Sequence, residues 1–270
     1  MRLLDRNTRV RDLMHPGVVT CRRQVPLGDV ALLLVRHRVH AVFVADDAEP
    51  IGVISDTDLL AGEWLGGDEE GIRVMRETRA ADIMSAPVES IDGDAPIQDA
   101  ADRLLRIGRL LVREGERAVG VISVSDVVAA MAARPSRRGS VADVMSRSFV
   151  ACGAATTVAE VARAMTDRRS RSVVVIDDSG QVVGVVTGHD LIRAAQSAAE
   201  AEAQPVSAVM SRSIVSTTAD TPLAEAADAM LADEVHRLLV ADPGDARRII
   251  GSISTSDVVA EMAHSIDWRT

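Results

Sequence analysis

Apolar and polar positions follow one order along this chain, and that order is repeated four times. In the first copy, apolar residues from Leu27 to Val35 fall at helical spacing, which predicts an amphipathic helix. Each copy continues with a short apolar run, and because the runs are often β-branched they predict buried strands. These runs are residues 41–44, 110–112, 173–176 and 238–240.

A second predicted strand carries a shared signature, which reads GVIS from Gly52, GVIS from Gly120, GVVT from Gly184 and GSIS from Gly251. An aspartate follows each hydroxyl residue after three positions, and a second apolar helix is predicted to begin there. The aspartates are Asp58, Asp126, Asp190 and Asp257. Each repeat therefore reads strand–helix–strand–strand–helix, a mixed α/β (α+β) unit. Because one unit cannot bury its own sheet face, the units are expected to pair.

Each repeat opens on a short segment that ends in methionine, at Met14, Met84, Met145 and Met210. The four copies keep one register from there, which places repeat 1 at about 8–62, repeat 2 at 78–133, repeat 3 at 139–197 and repeat 4 at 204–264. Pairing in chain order predicts two domains, 1–134 and 135–270. Residues 61–80 and 196–205 are predicted to contain connecting helices, and residues 134–139 a linker.

Composition fits many small packing units, since hydrophobic residues make up 47% of the chain, aromatic residues 1%, and Tyr is absent. The formal charge of −10 disfavours nucleic acid and anionic membranes as partners. The first residues lack the apolar run of a leader peptide, and no stretch has the length of a membrane span. We expect a soluble, cytoplasmic protein.

The opening segments, the glycine signature with its aspartate, and the segment VHRLLVAD at residues 235–242 together resemble the CBS domain family. The resemblance covers nearly the whole chain. It implies that paired repeats form Bateman modules, and that clefts in these modules bind adenosyl ligands such as AMP, ADP, ATP, NAD or S-adenosylmethionine. It implies no catalysis.

In the family the aspartate that ends the signature holds both ribose hydroxyls, which makes Asp58, Asp126, Asp190 and Asp257 the ribose candidates. Neighbouring hydroxyl and basic side chains reach the phosphates or other polar groups. Carried over by position, these candidates are Thr20, His40, Thr57, Arg109, Ser125, Arg171, His189, Ser216, His236, Arg237 and Ser256.

Two departures from the family pattern predict fewer than four occupied sites. The first helix of repeat 2 is predicted to be two residues shorter than the others, and repeat 3 has Ala151 where the other repeats have Thr or Ser. Repeats 4 and 1 are therefore the best equipped, with His236 and Arg237 in one and His40 in the other.

Structural interpretations stay open beside the functional ones. The aspartates could be helix N-caps, and His236 with Arg237 could be a solvated helix end. His15, His37 and His264 belong to no predicted cluster. Cys21 and Cys152 have no zinc-ligand spacing and are interpreted as small core or edge residues, so no metal site is predicted.

The favoured function is a non-catalytic regulatory sensor of adenosine nucleotides, with AMP, ADP or ATP favoured and Mg²⁺ bound only with ATP. An enzyme is disfavoured because no nucleophile–base pair, metal cluster or P-loop is found, and Lys is absent. The alternatives are an interaction scaffold without nucleotide, or NAD or S-adenosylmethionine as the ligand. A homodimer and a separate effector protein are the expected protein partners.

Overall fold

The structure is a computed structural model that describes residues 8–61, 69–132, 139–168, 170–197 and 203–265. Repeat 1 contains α1 (Val10–Leu13), β1 (His15–Pro16), β2 (Thr20–Arg22), α2 (Leu27–His37), β3 (Ala41–Asp46), β4 (Glu49–Ser55) and α3 (Asp56–Ala61). Helix α4 (Glu69–Glu77) precedes repeat 2, which contains α5 (Ala80–Ile83), β5 (Ser90–Asp92), α6 (Ile97–Ile107), β6 (Arg109–Glu114), β7 (Arg117–Ser123) and α7 (Val124–Ala132).

The second half of the chain has the same order of elements. Repeat 3 contains α8 (Val141–Val144), β8 (Ala151–Gly153), α9 (Val158–Asp167), β9 (Ser172–Ile176), β10 (Val182–Thr187) and α10 (Gly188–Ser197). Repeat 4 contains a 3₁₀ helix (Val206–Ala208), β11 (Ser216–Thr218), α11 (Leu223–Ala232), β12 (Arg237–Asp242), β13 (Asp245–Ser254) and α12 (Thr255–Ser265). The predicted strand–helix–strand–strand–helix unit is confirmed in all four repeats.

Each repeat builds a small mixed sheet in which the middle strand carries the predicted apolar run. In repeat 1 the order is β2-β3-β4, with β2 parallel and β4 antiparallel to β3. The helical spacing predicted that the apolar residues of α2 share one face. Those residues are buried, among them Leu27, Val30 and Leu34. This one-sided burial is what an amphipathic helix over a sheet requires.

The opening segment of each repeat pairs with the last strand of a neighbouring repeat. The segment of repeat 1 joins repeat 2 through His15 opposite Val121, and the segment of repeat 2 joins repeat 1 through Ser85 opposite Val53. Repeats 3 and 4 make the same exchange. Their pairs are Ser146 with Ser252 and Ser211 with Val185.

The signature glycines let these exchanged segments approach the sheet. A Cβ at Gly184 would lie 2.8 Å from the carbonyl oxygen of Ser211 and would also collide with the side chain of Met210. A Cβ at Gly251 would lie 2.6 Å from the carbonyl oxygen of Ser146. The methionines predicted for the core are partly buried and pack against it at these glycines.

The described residues cluster into two compact units that do not follow chain order. One unit takes in the residues up to Val18, Glu89–Ser148 and the residues from Val215, and thus the main bodies of repeats 2 and 4. The other takes in Val19–Val88 and Phe149–Ile214, the main bodies of repeats 1 and 3. Division at residue 134 into two paired modules stays a prediction, in keeping with the exchange of opening segments between repeats 1 and 2 and between 3 and 4.

One prediction about repeat 2 is wrong. Its first helix, α6, has 11 residues, the same length as α2 and one residue more than α9 and α11. The difference of two residues lies in the connection that follows, where Gly108 alone joins helix to strand. Gly108 ends the helix with φ +79°, a backbone conformation that glycine adopts without a steric penalty.

Two predicted connections fall partly outside the described residues. Helix α4 confirms a helix within residues 61–80. The linker at 134–139 and the helix at 196–205 lie mostly in ranges that the structure does not describe. Among the described helices, none is both long and apolar enough to cross a bilayer.

Candidate ligand-binding sites

The four aspartates occupy the same place, the third residue of the helix that follows the last strand. In repeat 1, Oδ2 of Asp58 accepts hydrogen bonds from the backbone N–H and the hydroxyl of Ser55, both at 2.7 Å. The other repeats repeat this arrangement between Ser123 and Asp126, Thr187 and Asp190, and Ser254 and Asp257. The hydroxyl residue is therefore the N-cap, and interpreting the aspartate itself as the N-cap is wrong.

This geometry follows from the signature. The Ser or Thr ends the strand, and its hydroxyl also lies 3.3 to 3.4 Å from the aspartate N–H in three of the four repeats. Such a reciprocal capping box satisfies amide groups that the first turn of a helix otherwise leaves without partners. The capping box uses one oxygen of the carboxylate, Oδ2. The other oxygen, Oδ1, takes no part in the box and can contact neighbouring groups.

The surroundings of Oδ1 differ between repeats. Oδ1 of Asp126 lies 2.7 Å from Nδ1 of His15, and Oδ1 of Asp190 lies 2.9 Å from a guanidinium nitrogen of Arg193. For Asp58 and Asp257, no hydrogen bond or ion pair with Oδ1 is formed within the part of the chain that the structure describes. These two carboxylates could accept further hydrogen bonds without breaking one.

Asp257 lines an open cavity of about 330 Å³ together with Val144, Ala260 and Glu261. Val144 belongs to α8, the opening helix of repeat 3, so two repeats contribute to this cavity. The carboxylate of Asp257 and the apolar side chain of Val144 both line this open cavity. The Glu261 carboxylate adds negative charge on the same side.

Asp126 is in a different environment, because its side chain is only 6% exposed whereas that of His15 is 81% exposed. Burial raises the pKa of Asp126, while the hydrogen bonds from Ser123 and the charge of His15 act in the opposite direction. The buried carboxylate is thus covered by one exposed imidazole that comes from another repeat.

The residues before the aspartates meet histidines of other repeats within each compact unit. In the unit of repeats 1 and 3, the rings of His40 and His189 lie edge to face with centroids 6.1 Å apart. In the unit of repeats 2 and 4, the hydroxyl of Ser125 lies 3.1 Å from Nδ1 of His236. Both pairs join predicted polar-ligand candidates that are far apart in sequence.

His40 and His189 have distinct electrostatic surroundings. Nδ1 of His40 lies 2.9 Å from Oδ2 of Asp56, the first residue of α3. The pKa of His189 is lowered, first by burial and then by the charge of His40. Its Nδ1 is buried and has no hydrogen-bond partner among the described residues. The lowered pKa favours the neutral form of His189, which lies beside a His40 ring that is held by Asp56.

In repeats 1, 2 and 4, the residue directly before the middle strand makes the same backbone contact, so these three residues occupy equivalent positions. The carbonyl groups of His40, Gly108 and His236 each accept a hydrogen bond from the first turn of the second helix, at 3.0 to 3.3 Å. His236 is exposed, as a solvated helix end would be, but Arg237 donates to the buried Ser252 hydroxyl at 2.8 Å. Repeat 2 has Val121, which carries no hydroxyl, in the place of Ser252.

Other predicted residues are not brought to the aspartates. Thr20 and Ser216 begin the edge strands β2 and β11, which pair with β3 and β12 on the side away from the strands that lead to the aspartates. Arg171 is exposed in the connection before β9. Thr57 is exposed and its backbone and hydroxyl contact Asp56, whereas Ser256 is partly buried in the first turn of α12.

His15 is the site residue that sequence reasoning missed, because it was assigned to no cluster. A signal was nevertheless present in the register of the repeats. The position after the opening methionine is His15 in repeat 1 and a serine in the other three, at Ser85, Ser146 and Ser211.

The cysteines occupy equivalent positions on β2 and β8, which confirms that they are core or edge residues. Cys21 is buried and Cys152 is half-buried, and both thiols are free. Burial raises the pKa of Cys21 to about 11 and also raises the pKa of Cys152. Neither thiol is therefore activated as a nucleophile or metal ligand.

Comparison with known proteins agrees with the repeat pattern. The family model described as "CBS domain" matches residues 10–63, 80–133, 141–197 and 206–264. An uncharacterized protein of Methanocaldococcus jannaschii is 23% identical over 276 residues, which covers 95% of this chain and 63% of the relative. The chain thus spans less than two thirds of that relative's length.

Solved structures show the same fold. A protein of Methanocaldococcus jannaschii, proposed to be an archaeal homolog of g-AMPK, superimposes with a TM-score of 0.82 at 19% identity and covers 94% of this chain and 100% of its own. CBSX2, solved in complex with AMP, is 23% identical with a TM-score of 0.42 and covers 47% of this chain and 98% of its own. The AMP belongs to that protein and assigns no ligand here.

Proposed function

Because this chain belongs to the CBS domain family, we propose that it is a non-catalytic regulatory protein that binds adenosyl ligands at its signature aspartates. AMP, ADP or ATP is the favoured ligand, with Mg²⁺ accompanying ATP only. Binding would shift the arrangement of its repeats and so change its affinity for an effector protein.

The observation that carries the proposal is the state of the carboxylates of Asp58 and Asp257. Each is held in place by its capping box through Oδ2, while no hydrogen bond or ion pair in the described chain engages Oδ1. A fixed carboxylate at a helix N-terminus, with an accepting oxygen to spare, suits the cis-hydroxyls of a ribose.

Polar groups for the rest of the ligand also lie in these repeats. His40 lies in the connection of repeat 1 and His236 in that of repeat 4, where Arg237 begins β12. Each histidine contacts a residue that precedes an aspartate in the other repeat of its unit, His189 or Ser125. A hydroxyl or imidazole in the first turn of a helix is well placed for an anion.

The test is thermal stabilisation by AMP, ADP, ATP with Mg²⁺, NAD and S-adenosylmethionine. A ligand that binds only the folded protein at one hundred times its Kd stabilises it by about 2.7 kcal/mol. We expect the change in Tm to shrink in Asp257→Ala and Asp58→Ala, because a charged hydrogen-bond acceptor contributes about 1.5–3 kcal/mol, which corresponds to tenfold or more in affinity.

A matched control separates capping from binding. Asp143 forms the same capping box with Ser140 on α8, at 2.7 and 2.9 Å, but it is not a signature aspartate. Asp143→Ala removes the same two capping hydrogen bonds and should lower Tm by a comparable amount, without altering the ligand-induced change in Tm. Absence of any ligand-induced change at millimolar concentrations of all five ligands would exclude the sensor and leave an interaction scaffold.

A further inference from the structure

The residue after each opening methionine has a fixed place in the backbone register of a neighbouring repeat. This residue pairs with the one that follows the signature glycine, and the aspartate comes five positions later in every repeat. The four combinations are His15 with Val121 and Asp126, Ser85 with Val53 and Asp58, Ser146 with Ser252 and Asp257, and Ser211 with Val185 and Asp190.

Only the histidine at this position reaches its aspartate. Nδ1 of His15 lies 2.7 Å from Oδ1 of Asp126. In the described chain, no hydrogen bond joins Ser85 to Asp58 or Ser146 to Asp257. In the described chain the side chain of His15 thus contacts the neighbouring aspartate, whereas the Ser146 hydroxyl donates to the Ser148 carbonyl and the Ser211 hydroxyl accepts from the Ser213 N–H.

We propose that His15, the residue after the opening methionine of repeat 1, closes the Asp126 site of repeat 2 to a ribose. The proposal rests on the proposed function and states how that function is restricted. His15 contacts the oxygen that a ribose would need, so a ligand has to displace the imidazole before it can bind. The imidazole is exposed and can be removed without opening the core beneath it.

Exchange of the two residue types provides the test. Both variants are made in the full-length protein. His15→Ser places a serine beside the Asp126 site of repeat 2, as at the other three sites. Ser146→His places a histidine beside the Asp257 site of repeat 4, as at the Asp126 site. Binding is measured by isothermal titration with AMP, whose adenosine part is common to the proposed ligands. We expect His15→Ser to add one AMP site per chain or to strengthen the weakest site at least tenfold, and Ser146→His to remove the site at Asp257.

Three controls identify the new site. The gain in His15→Ser should disappear in the double variant with Asp126→Asn, which keeps the shape of the cap. It should be much smaller with 2′-deoxy-AMP, which lacks one of the two ribose hydroxyls. His37→Ser, which changes an exposed histidine at the end of α2, should bind AMP as the wild type does.

The outcomes separate this proposal from the proposed function. If the wild type binds AMP in an Asp257-dependent manner and His15→Ser leaves binding unchanged or weaker, His15 does not close the site, although the sensor function stands. If neither the wild type nor His15→Ser binds AMP or any of the other four ligands, both are overturned. If only His15→Ser binds AMP, closure by His15 is supported and the wild-type repeat 2 is a blocked site.

Discussion

Each compact unit contains one signature aspartate with an uncommitted oxygen and one whose second oxygen is engaged. Asp257 and Asp126 form this contrast in one unit, Asp58 and Asp190 in the other. In all four, the capping distance from the backbone N–H to Oδ2 is 2.7 to 2.9 Å. Identical local structure thus gives different chemistry, because a single neighbouring side chain decides what the second oxygen can bind.

The two engaged aspartates are not engaged alike. His15 reaches Asp126 from a different repeat and covers a buried carboxylate, whereas Arg193 lies one turn further along the same helix as Asp190 and is 59% exposed. Both cations are more than half exposed, so the difference lies in the carboxylates: the Asp126 side chain is 6% exposed and the Asp190 side chain 14%. An ion pair with the more exposed carboxylate, within one helix, contributes less. We therefore expect the Asp126 site to be closed more firmly than the Asp190 site.

The largest expected effect on stability comes from a substitution at Gly120, against which the backbone of His15 packs. A Cβ at Gly120 would collide with the carbonyl group of His15 and lie 2.8 Å from Sδ of Met14. Gly120→Val should therefore destabilise the fold by about 3 kcal/mol, measured by urea unfolding, because backbone cannot yield as a flexible side chain does. Gly28→Ala, where the nearest atom to the new Cβ is 3.7 Å away, should be neutral or stabilising.

An unchanged midpoint for Gly120→Val would mean that the opening segment of repeat 1 is not seated on β7. The contact between His15 and Asp126 would then lose its structural basis, and the contrast between engaged and open aspartates would disappear from that unit.

An intermediate effect is expected from pH, through Asp126. Its folded-state pKa is raised by burial, so the stabilisation from the protonated form is complete below about pH 4 and is lost as pH rises through the raised value. Asp126→Asn cannot ionise, and its stability relative to wild type should therefore increase between about pH 4 and 7. Urea unfolding of both proteins at the two pH values measures this difference.

Two further variants test the direction in which stability changes with pH. Removing the His15 charge with His15→Ser should enlarge this change, because that charge lowers the pKa of Asp126. Asp143→Asn should show the reverse trend, since hydrogen bonds from Ser140 lower the pKa of Asp143 and the stability they provide is lost as pH falls. If the difference in stability between Asp126→Asn and the wild type did not change with pH, burial would not raise the pKa of Asp126.

The smallest effect is expected at Arg193. Arg193→Ala removes an exposed ion pair three residues apart on one helix, so the free energy of unfolding should change by only about 0.3–0.5 kcal/mol. AMP affinity at the Asp190 site should rise less than it does for His15→Ser. A larger gain than for His15→Ser would reverse the order proposed for the two engaged sites.

Much of the fold was predictable because its determinants are local. Helical spacing in α2, the apolar run of β3 and the Ser55–Asp58 signature each act within one short segment, and four copies in register reinforce the prediction. The capping role of the aspartates was predictable for the same reason, although the hydroxyl residue, not the aspartate, is the N-cap. The connection after α6 was misjudged because spacing alone cannot separate a short helix from a short turn.

By itself, the sequence determined the repeats, their strands and helices, and the four candidate carboxylates, since periodicity and capping depend on neighbours in the chain. Tertiary structure alone decided which carboxylates are open. His15 and Asp126 are 111 positions apart and meet only because the opening segment of repeat 1 pairs with β7 of repeat 2. A contact of that kind depends on how separate segments pack, and no spacing within one repeat encodes it.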